Sequence, residues 1–154
     1  MDSFNENLIE YVGLSKINLS HYNVKKLCSL DKVYKLKENQ GDILDISRVY
    51  VDVNILNTKK ILSPMATNYE GESFENDLLV FEACLSLNIE YIEDSEVSGL
   101  NIINIKKNFT NMINLKDNDE IDKLSLNAYT LKTYVKRVSR HKIFYYANIA
   151  IVSE

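Results

Sequence analysis

The carboxylates are the residues most able to do chemistry in this chain. Glu70, Glu72 and Glu75 surround Gly71, Glu82 and Glu90 sit farther on, and Glu93, Asp94 and Glu96 follow. A glycosidase needs two carboxyl groups facing each other across a cleft, one with its pKa raised by an apolar pocket. From Leu79 to Tyr91 the odd positions are apolar (Leu79, Phe81, Ala83, Leu85, Leu87, Ile89, Tyr91). The even positions from Glu82 to Glu90 are Glu82, Cys84, Ser86, Asn88 and Glu90. That period of two is a strand with one buried face. Glu82 and Glu90 are then eight residues apart on one strand, about 26 Å at about 3.3 Å per residue, and cannot act as a pair.

Other chemistry finds less support. Nucleophilic catalysis needs a base beside the nucleophile, but the only histidines are His21, in a loop-like "LSHYN", and His141, in the basic turn "SRHK". The four glycines are never close together, so no phosphate-cradling loop is present. The "EDSE" and "KDNDEID" segments could offer oxygen ligands to calcium, yet neither has the D-x-D-x-D-G frame, and solvated acidic loops are the expectation. Cys28 and Cys84 have neither C-x-x-C nor Cys/His zinc spacing and read as two reduced thiols. We therefore expect no catalytic residue, no cofactor and no metal.

The elements around these residues read as mostly β. Val49, Val51, Val53 and Ile55 share one strand face, with Tyr50, Asp52 and Asn54 on the other. "SGLNIINIKKNFTNMINL" gives one or two strands, broken near "KKN". "LSLNAYTLKTYVKRV" and "KIFYYANIAIV" form a closing pair around "SRHK". In the first of these the apolar face changes register, from Leu124, Leu126 and Ala128 to Tyr129, Leu131 and Val135, which predicts a β-bulge. "TNYEGES" is a turn, and "NVKKLCSLDKVYKL" fits a helix or a strand pair. Near the start, Ser3 or Asn5 could cap a short helix carrying Phe4, Leu8, Ile9 and Val12, with Gly13 as its stop. The fold class expected is all-β, an antiparallel sandwich or barrel-like domain with a short N-terminal helix. Residues 1–40 would pack as an N-terminal segment on a β domain over 41–154, the two forming one folding unit.

The 154 residues, 45% hydrophobic and 26% charged, are enough for one self-sufficient core. A net charge of −4 argues against nucleic acid. The basic cluster Leu131–Lys142, interleaved with Tyr134, could be a nucleic-acid platform or the solvent face of a hairpin, and the second agrees with the overall charge. No apolar run is long enough to span a bilayer, so no membrane insertion is expected. The start lacks a secretory pattern, so synthesis in the cytosol is expected. In "FYY", Phe144, Tyr145 and Tyr146 must divide between two faces. With "IFYYANIAIV" apolar on both faces, this suits a central strand or one covered by a partner. Arginine and tyrosine enrichment without catalytic company makes Lys136, Arg137, Arg140, Tyr145 and Tyr146 the candidate interface.

The segment "VYVDVNILNTKKILSPMATNYEGESFENDLLVFEACLSLNIEYIED" resembles the SPOCS domain, a sporulation-associated domain of many clostridial proteins. Thr58, Ile61, Pro64, Glu70, Gly71, Leu79, Ile89 and Tyr91 occupy places that match the family's pattern. "NLIEYVGL", "DILDI" and "IFYYANIAI" resemble its opening, pre-strand and closing segments. The family's later glycines are replaced near Asn76 and by Ala83, and Asn108 stands before Phe109 where the family has Pro. Lys136 and Arg137 reverse an acidic stretch. The resemblance implies a non-enzymatic structural protein of the spore envelope, coat or exosporium. It would be made in the mother-cell cytoplasm and assembled onto the spore surface through contacts with other envelope proteins and with itself. A carbohydrate-binding module for a spore or cell-wall glycan is the alternative, weakened by the absence of Trp. A hydrolase using the acidic loops comes third.

Overall fold

The computed structural model describes residues 9–62, 77–95, 99–115 and 125–153. Seven strands account for most of them: β1 (Glu10–Val12), β2 (Asn23–Lys35), β3 (Ile43–Ile61), β4 (Leu78–Glu93), β5 (Leu100–Asn114), β6 (Leu126–Ser139) and β7 (Lys142–Ser153). They form two sheets, ordered β1-β3-β4-β5 and β2-β7-β6. All neighbours are antiparallel except β1, which lies parallel to β3. The all-β, sandwich-like architecture is as the sequence predicts.

The alternation in β4 does what its period of two requires. Leu79, Phe81, Ala83, Leu85, Leu87, Ile89 and Tyr91 are all buried. They join Val49, Val51 and Val53 of β3, Ile103, Ile105 and Ile113 of β5, and Cys28, Val135, Ile143, Tyr145, Ala147, Ile149 and Ile151 of the second sheet in one core. Each fully buried Leu, Ile or Phe contributes about 1.5–3 kcal/mol. A single core shared by both sheets makes the sandwich one packing unit. A boundary near residue 40 does not divide it, because β2 pairs with β7 from Asn23–Ser153 to Lys35–Lys142.

Several local expectations change. The helix expected to include Ile9 and Val12 gives way to strand at Glu10–Val12, because these residues add to the edge of β3; its first part, with Ser3 and Asn5, lies outside the described residues. The segment open to a helix or a strand pair is one strand, β2, with a register shift between Val24 and Lys26. β5 runs unbroken through Lys106 and Lys107, because both are exposed at a sheet edge where charge costs nothing. The "TNYEGES" turn and the "KDNDEID" loop fall outside the described residues.

The expected bulge in β6 is present, and Leu131 is the inserted residue: Thr130 pairs with Ile149 and Lys132 with Asn148. Thr130 faces the core before it, and Thr133 and Val135 after it, at 3%, 5% and 1% exposure. Tyr129 consequently points outward, paired across from Ala150 rather than joining the inner row.

The chain after β1 links the two sheets. Gly13 adopts φ +101, and a Cβ there would collide with the Val51 carbonyl oxygen. This turn carries the backbone from β3 to β6, where Ser15 N donates to Thr130 O (2.7 Å) and Thr130 Oγ1 donates to Gly13 O (3.0 Å). Tyr11 completes the link: its hydroxyl accepts from Val135 N at 3.0 Å, satisfying an edge amide of β6.

Candidate interaction face

The two sheets turn very different outer faces to their surroundings. On β4, the central strand of the larger sheet, the outward residues are Glu82, Cys84, Ser86, Asn88 and Glu90. Their cross-strand neighbours include Tyr50, Asp52 and Asn54 on β3 and Asn104, Lys106 and Asn108 on β5. Amides and carboxylates on this face satisfy one another, as where Asn57 Nδ2 donates to Glu82 Oε2 at 3.0 Å. The centre of this face is polar, with Ile102, opposite Glu90, and Met112, opposite Val80, as exposed apolar residues toward its ends.

The outer face of the smaller sheet is apolar along its centre. On β7 the residues on the outer side are Phe144, Tyr146, Asn148, Ala150 and Val152, opposite the buried row Ile143, Tyr145, Ala147, Ile149 and Ile151; Phe144, Tyr146 and Asn148 are half-buried, whereas Ala150 and Val152 are themselves fully buried. The pairing sets out the rows across β2, β7 and β6 as Val33–Phe144–Lys136, Asp31–Tyr146–Tyr134, Ser29–Asn148–Lys132 and Leu27–Ala150–Tyr129. Leu27 (56%), Val33 (48%) and Tyr134 (41%) expose large apolar surface here. Tyr22 packs edge-on against Tyr129, ring centroids 5.9 Å apart, at the far end of the face. Such a run of aromatic and branched side chains on a solvent-side sheet face is the composition of an interaction surface.

The five residues expected to form an interface do not share one surface. Tyr146 and Lys136 lie on this outer face, the Tyr146 hydroxyl 3.4 Å from Ser29 Oγ. Tyr145 does not: at 2% exposure it points into the core, and burial raises its phenol above the usual tyrosine value. The period of two put one of the adjacent tyrosines inside, and the inner row of β7 selects Tyr145. Arg137 lies on the opposite side of β6 from Lys136. Its Nη1 donates to the carbonyls of Ile43 (3.2 Å) and Leu44 (3.1 Å), tying β6 to β3. Arg140, in the turn, has its Nε 3.8 Å from Asp94 Oδ2. Both arginines hold the turn end of the sandwich together, along with His141 Nδ1, 2.9 Å from Asp42 Oδ1. The sequence reading missed Tyr134, Val33, Leu27 and Phe144 as members of the face. The odd-numbered series Leu27, Ser29, Asp31, Val33 was the available signal, obscured by the helix-or-strand ambiguity of β2.

Among the described residues no group of three His, Cys, Asp or Glu side chains could hold a metal ion. A cleft of about 500 Å³ opens between β2 and β5, and its walls, including Val24, Lys26, Met112 and Ile113, carry no carboxylate, histidine or thiol. Cys28 is buried and Cys84 half-buried, both free. Burial pushes the Cys28 thiol up, opposed by the Asn111 amide donating to its sulfur at 3.6 Å. No described helix is long and apolar enough to cross a membrane. Comparisons with family models, with curated proteins and with solved structures find no match.

Proposed function

We propose that this chain is a non-catalytic assembly module that binds protein partners on the outer face of β2-β7-β6, in the bacterial spore envelope. One observation carries the binding surface: Phe144 and Tyr146 on the outer side of β7 lie between the exposed Val33 and Tyr134, whereas the outer side of β4 is polar from Glu82 to Glu90. Both are central strands, so the difference does not come from position in a sheet. A sheet face that meets only water favours the polar pattern. The envelope setting is supported by the resemblance of residues 49–94 to the SPOCS domain, and the coat or exosporium is the layer such a module serves.

The test is a fluorescent fusion followed through sporulation, beside a Val33→Lys/Tyr134→Lys variant checked for native circular dichroism. The wild type is expected to collect on the forespore and the variant to stay dispersed. A folded variant that still localises, or a wild type that never does, would overturn the proposal.

A further inference from the structure

The sandwich is tied together along one flank and open along the other. On the β3–β6 flank, hydrogen bonds through Ser15, Tyr11 and Arg137 join the sheets. On the opposite flank β2 ends the smaller sheet and β5 ends the larger one. Among the described residues no backbone hydrogen bond connects these two edges. Asn111 reaches across to Cys28 by its side chain. The cleft of about 500 Å³ lies past that contact, bordered by residues 23–26 of β2 and 112–114 of β5. Consecutive residues line it on both sides, so it exposes two strand edges and not a single sheet face.

The two edges also share a sign. β2 carries four lysines and one aspartate, and β5 two lysines and no carboxylate, in a chain of net charge −4. Lys26 pairs across from the inward Ile151 and is half-buried at the cleft. Among the described residues its ammonium has no hydrogen-bond or ion-pair partner. Lys107 starts from the inner side of β5, opposite Leu85, and is exposed. The neighbouring carboxylates are engaged or face away. On β4, Glu82 accepts from Asn57 and Asn108 and Glu93 accepts from Asn101, while Glu90 stands opposite Ile102 on the outer side. Asp31 of β2 lies in the outer row of Tyr146.

We infer that this open flank takes an extended acidic segment of another protein, which adds as a strand to the free edge of β5. The site is separate from the outer face of β2-β7-β6, and neither reading depends on the other. A free strand edge presents a row of N–H and C=O groups that another backbone satisfies. The edge of β2 is interrupted by the register shift between Val24 and Lys26, whereas β5 pairs without a shift from Leu100 to Asn114. β5 is therefore the strand able to template a partner. Lys106 and Lys107, at its middle, repel a basic strand and admit an acidic one. They also select against a second copy, because antiparallel β5–β5 pairing centred on the strand sets Lys107 opposite Lys107. Acidic residues at alternate positions of the segment would face inward toward Lys26 and Lys107. Apolar residues between them would lie beside the exposed Met112.

The probe is an acetylated, amidated peptide of alternating Glu and Val, about eight residues long, enough to cover about 27 Å of edge. Titrated into the full chain by calorimetry, it is expected to bind reversibly and more weakly as salt is raised. Three controls should bind at least about tenfold less tightly: the peptide N-methylated at alternate residues, its Lys–Val counterpart, and glutarate. Lys26→Glu/Lys107→Glu, checked for native circular dichroism, should invert the preference between the Glu–Val and Lys–Val peptides. Hydrogen exchange should show new protection in β5. No binding of the Glu–Val peptide at millimolar concentration, or a charge variant that binds like the wild type, would overturn the inference. An N-methylated peptide that binds equally well would remove the strand addition, and glutarate binding as tightly would leave only a small-anion site. Loss of binding in the folded Val33→Lys/Tyr134→Lys variant would move the peptide to the outer face, and this inference would fall while the functional proposal stands.

Discussion

Gly13 is the residue whose replacement has the clearest physical cost. Its φ of +101 is unfavourable for any side chain, and the atom a Cβ would meet is the backbone carbonyl oxygen of Val51, which cannot swing aside as a side chain could. Relieving the contact would move β3 at a point where Val51 is 5% exposed in the core, or withdraw the Ser15–Thr130 link to β6. Gly13→Ala is expected to lower stability by at least about 2 kcal/mol and the melting temperature by about 5 °C or more. Thermal unfolding followed by circular dichroism measures this. An alanine variant melting within a degree of wild type would show that the turn is not held as described. The sequence placed a stop at Gly13 correctly but for a helix; what ends there is a three-residue parallel strand. A parallel partner thirty-eight residues away leaves no local periodic trace.

At the scale of elements, the β6 bulge decides which way half a strand faces. Leu131 is an extra residue, so Leu126, Ala128 and Thr130 and then Thr133 and Val135 all turn toward the core side. Deleting it would leave Thr130 opposite Ile149 and Lys132 opposite Asn148 in strict alternation, each side chain facing as before. One more residue inserted after it would instead force Lys132, Tyr134 and Lys136 inward, or turn Ala128 and Thr130 outward. Burying unpaired lysines is among the few changes that cost more than about 4 kcal/mol. Leu131→Ala keeps the count and loses only part of one half-buried side chain. We expect the alanine and deletion variants to melt cooperatively and a variant with one alanine inserted after Leu131 to lose its cooperative transition. An insertion variant that melts like the deletion variant would mean that the facing of β6 is not fixed by the residue count at this bulge. The bulge was legible because apolar residues change parity visibly within "LSLNAYTLKTYV". The inner row of β4 was legible for the same reason. β2 was not, since its inner row (Cys28, Leu30, Tyr34) and its outer row (Leu27, Val33) are both partly apolar, which erases the period. The interface was half legible. Sequence pattern indicates that "FYY" must divide, but only the pairing of β7 with β2 and β6 shows that Tyr146 shares its face with Tyr134 and Val33, while Arg137 turns to β3.

The whole molecule is one core between two sheets, so a group buried on either sheet or in the connecting segment should act on the same unfolding event. Three tyrosines sample these places: Tyr11 in the N-terminal link, Tyr91 on the inner face of β4 and Tyr145 on the inner face of β7. Burial is the main cause raising each phenol above 10.0, although Tyr11 also accepts the Val135 amide, which acts the other way. A phenol with a higher pKa in the folded state holds its proton longer there than in the unfolded chain. Its contribution is complete below pH 10.0, where both states are protonated. It is lost as pH rises beyond that, because the unfolded chain ionises first. The melting temperature should therefore not fall on account of these tyrosines up to about pH 9, then drop through pH 10 and above. Tyr145 is the cleanest probe, because desolvation alone shifts it and its ring faces the opposite sheet. Tyr145→Phe removes an ionisable hydroxyl without removing the ring, so it should leave stability near neutral pH almost unchanged and reduce the alkaline loss. Melting of both proteins across pH 8 to 11.5 checks it. Identical alkaline loss would place the Tyr145 hydroxyl in water and take that residue out of the core. Two separate transitions, only one of them sensitive to Tyr145, would mean that the sheets unfold independently and that the shared core does not bind them into one unit.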